Sequence, residues 1–285
     1  MAESNQKKSQ KKFKGKKWIL FLILIFFWWF NNYSLKTNST SIKSAKISQP
    51  VRLAVLSDYH AHGLSISQGT ILRKLEKINP DAVILLGDMY SRNSGESEIN
   101  MAVELMAAIA AEYTAYFVAG EHDTSQAYFS SLSENGVHVL NYAEETVDIR
   151  GNRIRFLGID NAYYSPTFDL NNEFTLYRDS YNILLAHIPN YEKFADFGAD
   201  LTLCADTHGG MFRLPFIGPV YDTQTRIKFP NLKNTGIPVY DKGWFDYQGG
   251  SMFITSGVGD SPYPVRFFNR PEIVCLDILP SEVTE

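Results

Sequence analysis

The chain has 285 residues, 45% hydrophobic and 20% charged, enough apolar material for a substantial core; this excludes a disordered chain and a small disulfide-stapled scaffold. A net charge of −4 and a pI near 5.9 exclude a broadly basic surface, so no nucleic-acid partner is expected. Cys204 and Cys275 both lie in apolar, strand-like runs, which suits buried thiols.

Basic residues gather at the start, in Lys7, Lys8, Lys11, Lys12, Lys14, Lys16 and Lys17, ahead of an uninterrupted apolar run over residues 18–30. That run is short of the roughly 20 residues of a full membrane crossing, and by length alone it could be a signal-peptide core, a buried helix or a short span. It has no polar stripe, and Asn-Asn-Tyr-Ser-Leu is a poor cleavage site. The expectation is a basic cytoplasmic tail over 1–17 and a signal anchor over 18–35, with Trp28, Trp29 and Tyr33 at the far interface. The protein would then be single-pass in the cell membrane with its bulk outside; secretion after cleavage is the alternative. Residues 36–49 are rich in Ser, Thr, Lys and Asn and read as a flexible stalk, leaving a folded domain over 50–280 and a tail over 281–285.

Residues 51–57 form a strand-type run, and Ile71, Leu72, Leu75 and Ile78 have helical spacing before Asn79-Pro80. A strand over 82–86, a helix over 99–111 and a strand over 115–118 complete a β-α-β-α-β half. A helix over 126–135 follows, with Gly136 at its end, and then a hairpin of 147–149 with 154–157 turning at Gly151-Asn152. Later strands are expected over 183–186, 201–205, 252–255 and 273–278. The class is therefore α/β (mixed α+β), with sheets flanked by helices.

Polar motifs fall at the carboxyl ends of five of these strands: Asp58 and His60, Asp88, Glu121 to Asp123, His187, and Asp206 with His208. Open α/β sheets place ligands there. A single Asp after a strand is ordinarily a helix cap or turn residue, but five such sets at one edge are not explained that way. Carboxylates and imidazoles without thiolate suit Mn²⁺, Fe²⁺, Mg²⁺ or Zn²⁺, and a shared Asp suits a pair of ions. Paired divalent cations activate water and neutralise phosphate oxygens, so the reaction expected is phosphoester hydrolysis.

The order Asp-x-His, Gly-Asp, Gly-x-His-Asp, His, x-x-His-Gly-Gly closely resembles the calcineurin-like metallophosphoesterase superfamily. Residues 209–219 and 256–273 resemble its bacterial branch with an N-terminal membrane segment or export signal. The resemblance implies a four-layer αββα sandwich with two metals at the top of its sheets. It implies Asp58, His60, Asp88 and His208 at the first metal, and Asp88, His187, Glu121 and Asp206 at the second. It also implies His122 as the histidine that contacts phosphate and helps protonate the leaving group, with Asp123 beside it in the same motif as catalytic. Glu121 stands where the family usually has Asn, Asp206 where it has His, and Ala205 where it has Gly.

Four carboxylates, Asp58, Asp88, Glu121 and Asp206, would nearly neutralise two dications. That favours a slower enzyme or a phosphodiester substrate, and Mn²⁺ or Mg²⁺ over Zn²⁺. The substrate expected is an envelope phosphoester, with lipid-linked and glycan-bearing forms considered. A catalytically weak metal-binding or scaffolding protein with a degenerate second site is the alternative. His62 is left outside the site and His138 is read as packing. Arg213 and Arg266 either meet substrate charge or make structural ion pairs. The aromatic stretches 161–179 and 212–244 are binding walls or packed loops.

Overall fold

The computed structural model describes residues 2–160, 168–216, 218–220, 240–260 and 265–281, with side chains from residue 16 onward. In chain order the elements are α1 (Ala2–Tyr33), β1 (Lys36–Ser44), β2 (Val51–Leu56), α2 (Gln68–Ile78), β3 (Ala82–Leu85), α3 (Glu96–Ala110), β4 (Ala115–Phe117), α4 (Gln126–Glu134) and β5 (His138–Val139). There follow β6 (Ala143–Ile149), β7 (Asn152–Gly158), α5 (Leu170–Glu173), β8 (Tyr181–Leu185), α6 (Tyr191–Phe197), β9 (Leu201–Cys204), β10 (Arg213–Leu214), β11 (Gly218–Pro219), β12 (Gly243–Tyr247), β13 (Gly250–Ile254) and β14 (Glu272–Pro280).

Two six-stranded sheets result, ordered β1-β14-β2-β3-β4-β5 and β12-β13-β9-β8-β7-β6. Within the first, β2, β3 and β4 are parallel. Within the second, β7, β8, β9 and β13 are parallel. The carboxyl ends of the ligand-bearing strands therefore line up at one edge of each sheet.

Side-chain alternation explains the layers. Along β2, Val51, Leu53 and Val55 face the second sheet and pack with Phe156, Ile183, Leu185 and Leu203. Ala54 and Leu56 point the other way, against Ile71 and Leu75 of α2 and Leu105 of α3. On the far side of the second sheet, Leu184, Cys204 and Met252 meet Leu170 of α5 and Phe194 and Phe197 of α6. Helices, sheet, sheet and helices make the four-layer sandwich. Strands buried on both faces read as continuous apolar runs, which is why they stand out in the sequence. Phe156 lies between the sheets at 0% exposure, and its loss to Ala would remove about 3–5 kcal/mol.

Residues 36–44, expected as part of a flexible stalk, are instead β1, paired in parallel with β14 from Lys36↔Glu272 to Ser44↔Pro280. The folded domain thus begins near residue 36. The polar composition belongs to an edge strand whose residues alternate between partial burial and exposure. The hairpin turns at Arg150 and Gly151, with φ of 54° and 78°, one residue before the expected pair. Both cysteines are free and buried.

α1 runs unbroken through the lysine-rich segment and the apolar run, and its apolar side chains are largely exposed, Trp18 at 66% and Leu22 at 60%. Among the described residues no helix is long and apolar enough to cross a membrane. The expected crossing segment is therefore not found: its 13 apolar residues are bounded by Lys17 on one side and by buried, hydrogen-bonded Asn31 and Asn32 on the other. Tyr163 and Tyr164, from the expected aromatic wall, lie outside the described residues.

Candidate metal centre

The turns that follow the parallel strands bring the motif side chains into one cluster. Asp58 (φ 50°), His60 (φ 42°), Asp88 (φ 53°), Asp206 (φ 64°) and His208 (φ 49°) all adopt left-handed backbone, a costly conformation for residues with a Cβ and one that concentrates at functional sites. Gly120 allows the tightest approach, because a Cβ there would lie 2.1 Å from Asp88 Oδ1. Asp123 Oδ2 ties the same two turns, accepting from Asp88 N at 2.6 Å and Gly120 N at 3.0 Å.

Asp88 is the hub. Its Oδ2 lies 3.3 Å from His187 Nε2, 3.6 Å from His122 Nε2 and 3.8 Å from His60 Nε2. Asp58 Oδ1 lies 3.8 Å from His208 Nε2 and 3.9 Å from His187 Nε2. Among the described residues three sets could hold a cation, each with ligand atoms within 4.8 Å of one another: Asp58, His60 and His208; His60, Asp88 and His122; and Asp58, Asp88 and His187. Asp58 Oδ1, His60 Nε2, His187 Nε2 and His208 Nδ1 are buried and without hydrogen-bond partners, a state that is costly unless a further ligand satisfies them. The donor set and these orphaned atoms fit divalent cations.

Ring orientation is fixed from behind. His187 Nδ1 lies 2.5 Å from the Leu86 carbonyl, which can only accept, so Nδ1 carries hydrogen and Nε2 faces the carboxylates. His122 is held the opposite way: Nδ1 accepts from Arg92 N at 2.7 Å, leaving Nε2–H aimed at Asp88 and at Glu121 Oε1, 3.5 Å away. Ser91 Oγ holds His60 Nδ1 at 3.0 Å, and Asn269 donates to the His208 carbonyl at 2.7 Å.

Burial pushes Asp58 up to about 7 and Asp123 up to about 7. Burial lowers His60 to about 3 and holds His208 well below its ordinary value, so both are neutral, as a ligand must be. For the Asp88–His187 pair burial opposes both charges, but mutual attraction wins, holding Asp88 well below the usual carboxylate range and His187 well above that of imidazole.

The two departures from the family pattern are placed differently. Asp206 Oδ1 lies 3.9 Å from His187 Nε2 at the cluster margin, whereas the Glu121 side chain is 47% exposed and turns toward His122. Neither is in the three closest sets. Asp123, expected as a catalytic group, is buried; its Oδ2 ties two turns through backbone amides, while its Oδ1 is buried without a hydrogen-bond partner. His62 lies 2.8 Å from Asp260 and His138 Nδ1 2.7 Å from Glu145 Oε2, so His138 makes a side-chain hydrogen bond as well as packing. Arg213 pairs with Asp241. Arg266 has no carboxylate hydrogen bond among the described contacts and instead donates to backbone carbonyls. Lys242 and Asn269 brace the His208 carbonyl and Ser256 after β13, a role that their placement in three dimensions identifies.

A model of the calcineurin-like phosphoesterase family matches residues 51–210. The chain is 25% identical over 256 residues to an uncharacterized metallophosphoesterase, YkuE, of Bacillus subtilis, covering 85% of this chain and 84% of that protein. It is also 25% identical over 252 residues to the phosphodiesterase YaeI of Escherichia coli, covering 81% and 83%. Among solved structures, the phosphopantetheinyl hydrolase of Mycobacterium tuberculosis aligns with a TM-score of 0.40 at 13% identity, over 80% of this chain and 96% of that one.

Proposed function

The chain belongs to the calcineurin-like phosphoesterase family of hydrolases, and on that premise we propose that it hydrolyses a phosphodiester, or an envelope lipid or glycan phosphate, at a two-metal centre favouring Mn²⁺. The observation that carries this reading is the single carboxylate Asp88 facing three imidazole nitrogens, with Asp58 and His208 completing the ring. Divalent cations held there supply an acidified water and positive charge for the phosphate oxygens. Asp58, His60, Asp88 and His208 would hold one ion. Asp88, His187 and Asp206 would hold the other, with Glu121 approaching from the margin. His122 Nε2–H points into the ring and donates to phosphate or to the leaving oxygen. The acidity of the ring favours a monoanionic diester over a dianionic monoester.

The exposed apolar run of α1 and its lysine flank support attachment to the cell membrane with the catalytic domain outside, a secreted form being the other outcome. Hydrolysis of bis-p-nitrophenyl phosphate with added Mn²⁺ tests the chemistry. Turnover in the intact protein that is abolished by Asp88→Asn supports the proposal. The exposure of Glu121 favours a second reading, a weak, one-metal scaffold, and equal turnover before and after Asp88→Asn would support it.

A further inference from the structure

Arg266 is a charged side chain at 1% exposure, bonded to backbone carbonyls beside Asp58 and to no carboxylate among the described residues. Its guanidinium donates to the carbonyls of Gly259 (Nε, 2.9 Å, and Nη2, 2.5 Å), Ser256 (Nη2, 2.7 Å) and Asn269 (Nη1, 3.4 Å). A planar fork with several donors can gather carbonyls that a lysine could not reach together. The Ser256 and Gly259 carbonyls belong to the turn after β13, which lies directly against Asp58. Val258 N donates to the Ser57 carbonyl at 3.0 Å and Gly259 N to the Asp58 carbonyl at 2.7 Å. A Cβ on Gly257 would fall 2.5 Å from Asp58 Oδ2. Arg266 therefore shapes the wall that holds Asp58.

Arg266 is itself held from outside the sandwich. Asn32, in the last turn of α1, accepts from Arg266 N at 2.7 Å and donates to Arg266 O at 3.3 Å, and is 3% exposed. Around this amide clasp Phe27 packs on Phe267 and Phe268 with ring centroids 5.2 and 5.3 Å away, and the Arg270 guanidinium lies 4.4 Å from the Phe30 ring centroid. Arg270 also donates to the Ser34 carbonyl and hydroxyl.

We infer that Arg266 is a positioning residue for Asp58 and that Asn32 makes this positioning depend on docking of α1, so that the N-terminal helix is part of the catalytic unit. The chain of contacts runs Asn32, Arg266, residues 257–259, Asp58. The inference rests on the metal reading for the role of Asp58, but the coupling is a property of the protein without metal.

The test compares full-length Asn32→Leu with Asn31→Leu. Asn31 is equally buried on the same turn, but its amide bonds the Phe27 carbonyl within its own helix. Hydrogen exchange of metal-free protein is read at the amides of Val258 and Gly259, and Mn²⁺ affinity by calorimetry. Removing the paired hydrogen bonds should speed exchange at those amides about tenfold in Asn32→Leu and weaken Mn²⁺ binding about tenfold, with Asn31→Leu near wild type in both. Arg266→Lys, which keeps the charge and loses the fork, should behave as Asn32→Leu does. Unchanged exchange in Asn32→Leu, or equal effects from the two asparagines, overturns the coupling. A wild type that shows the exchange pattern yet binds no Mn²⁺ overturns the metal reading and leaves the coupling standing.

Discussion

His187 donates through Nδ1 to the carbonyl of Leu86 at 2.5 Å, so a histidine at the end of one sheet is aimed by the backbone at the end of the other. The bond fixes the tautomer and turns Nε2 to within 3.3 Å of Asp88. His187→Ala removes a ligand atom and leaves the Leu86 carbonyl unpaired in a buried place. Mn²⁺ affinity should fall by about 100-fold, with a parallel fall in kcat/KM, while the metal-free protein keeps its circular dichroism. Calorimetric titration checks this, and retention of wild-type affinity would remove His187 from the centre.

Protons compete for the same atoms. Asp58 and Asp123 are pushed up to about 7 by burial, and His187 is raised by Asp88 against the cost of burial. Groups whose folded pKa lies above the unfolded one stabilise the fold at low pH and lose that contribution as pH rises through the folded value. Below about pH 6.5 His60 and His208 act in the opposite sense, because their folded values are depressed by burial. Above pH 6.5 the raised groups decide. The metal-free protein should lose stability from pH 6.5 to 8, whereas Mn²⁺, which needs the same atoms deprotonated, should bind more tightly. The gap in Tm between Mn²⁺-loaded and metal-free protein should widen over that range. A constant gap would contradict the assignment.

His122 should separate from the other histidines. Its Nδ1 accepts from Arg92 N, so its hydrogen sits on Nε2 and faces the ring. His122→Asn is expected to lower kcat by about 10²- to 10⁴-fold with Mn²⁺ affinity held within about threefold. A collapse of affinity alongside kcat would make it a ligand in the set with His60 and Asp88 and not a proton donor.

The strands carrying Asp58, Asp88, His187 and His208 were legible because burial on both faces makes their sequences uniformly apolar, and a ligand-type side chain follows each within a few residues. β1 was not legible: one side of it meets β14 and the other meets solvent, so Thr37, Asn38 and Ser39 carry no hydrophobic signal. The clustering of Asp88 with His60 and His122 depends on parallel register between β2, β3 and β4, and its approach to His187 on the packing of the two sheets, neither of which follows from spacing along the chain. Arg266 stands out in the sequence as a charge for substrate or for an ion pair, but its contacts and the parts played by Asn32, Lys242 and Asn269 are not legible there, since Asn32 meets Arg266 across 234 positions. Local patterns do not encode such pairings.

Lys242 gives a stability prediction independent of the metal. Its Nζ bonds Ser256 Oγ at 3.0 Å and Asn269 Oδ1 at 3.1 Å and lies 3.9 Å from Glu272 Oε2, which Lys36 also approaches to 2.8 Å. Burial lowers its pKa to about 8 although Glu272 works the other way. An unfolded lysine keeps its proton to about 10.4, so between pH 8 and that value this group is more protonated in the unfolded chain and its contribution to the unfolding free energy rises with pH. The side chain is 24% exposed, below the point at which solvent would erase the effect. Lys242→Met abolishes this contribution. Urea unfolding of metal-free protein at pH 7.5 and 9.5 should show the wild type gaining on the order of 2 kcal/mol relative to Lys242→Met. Tyrosines with raised values titrate equally in both proteins, so they cancel in the comparison. An unchanged difference between the two pH values would mean that Lys242 is not desolvated and that the brace beneath His208 is open to water.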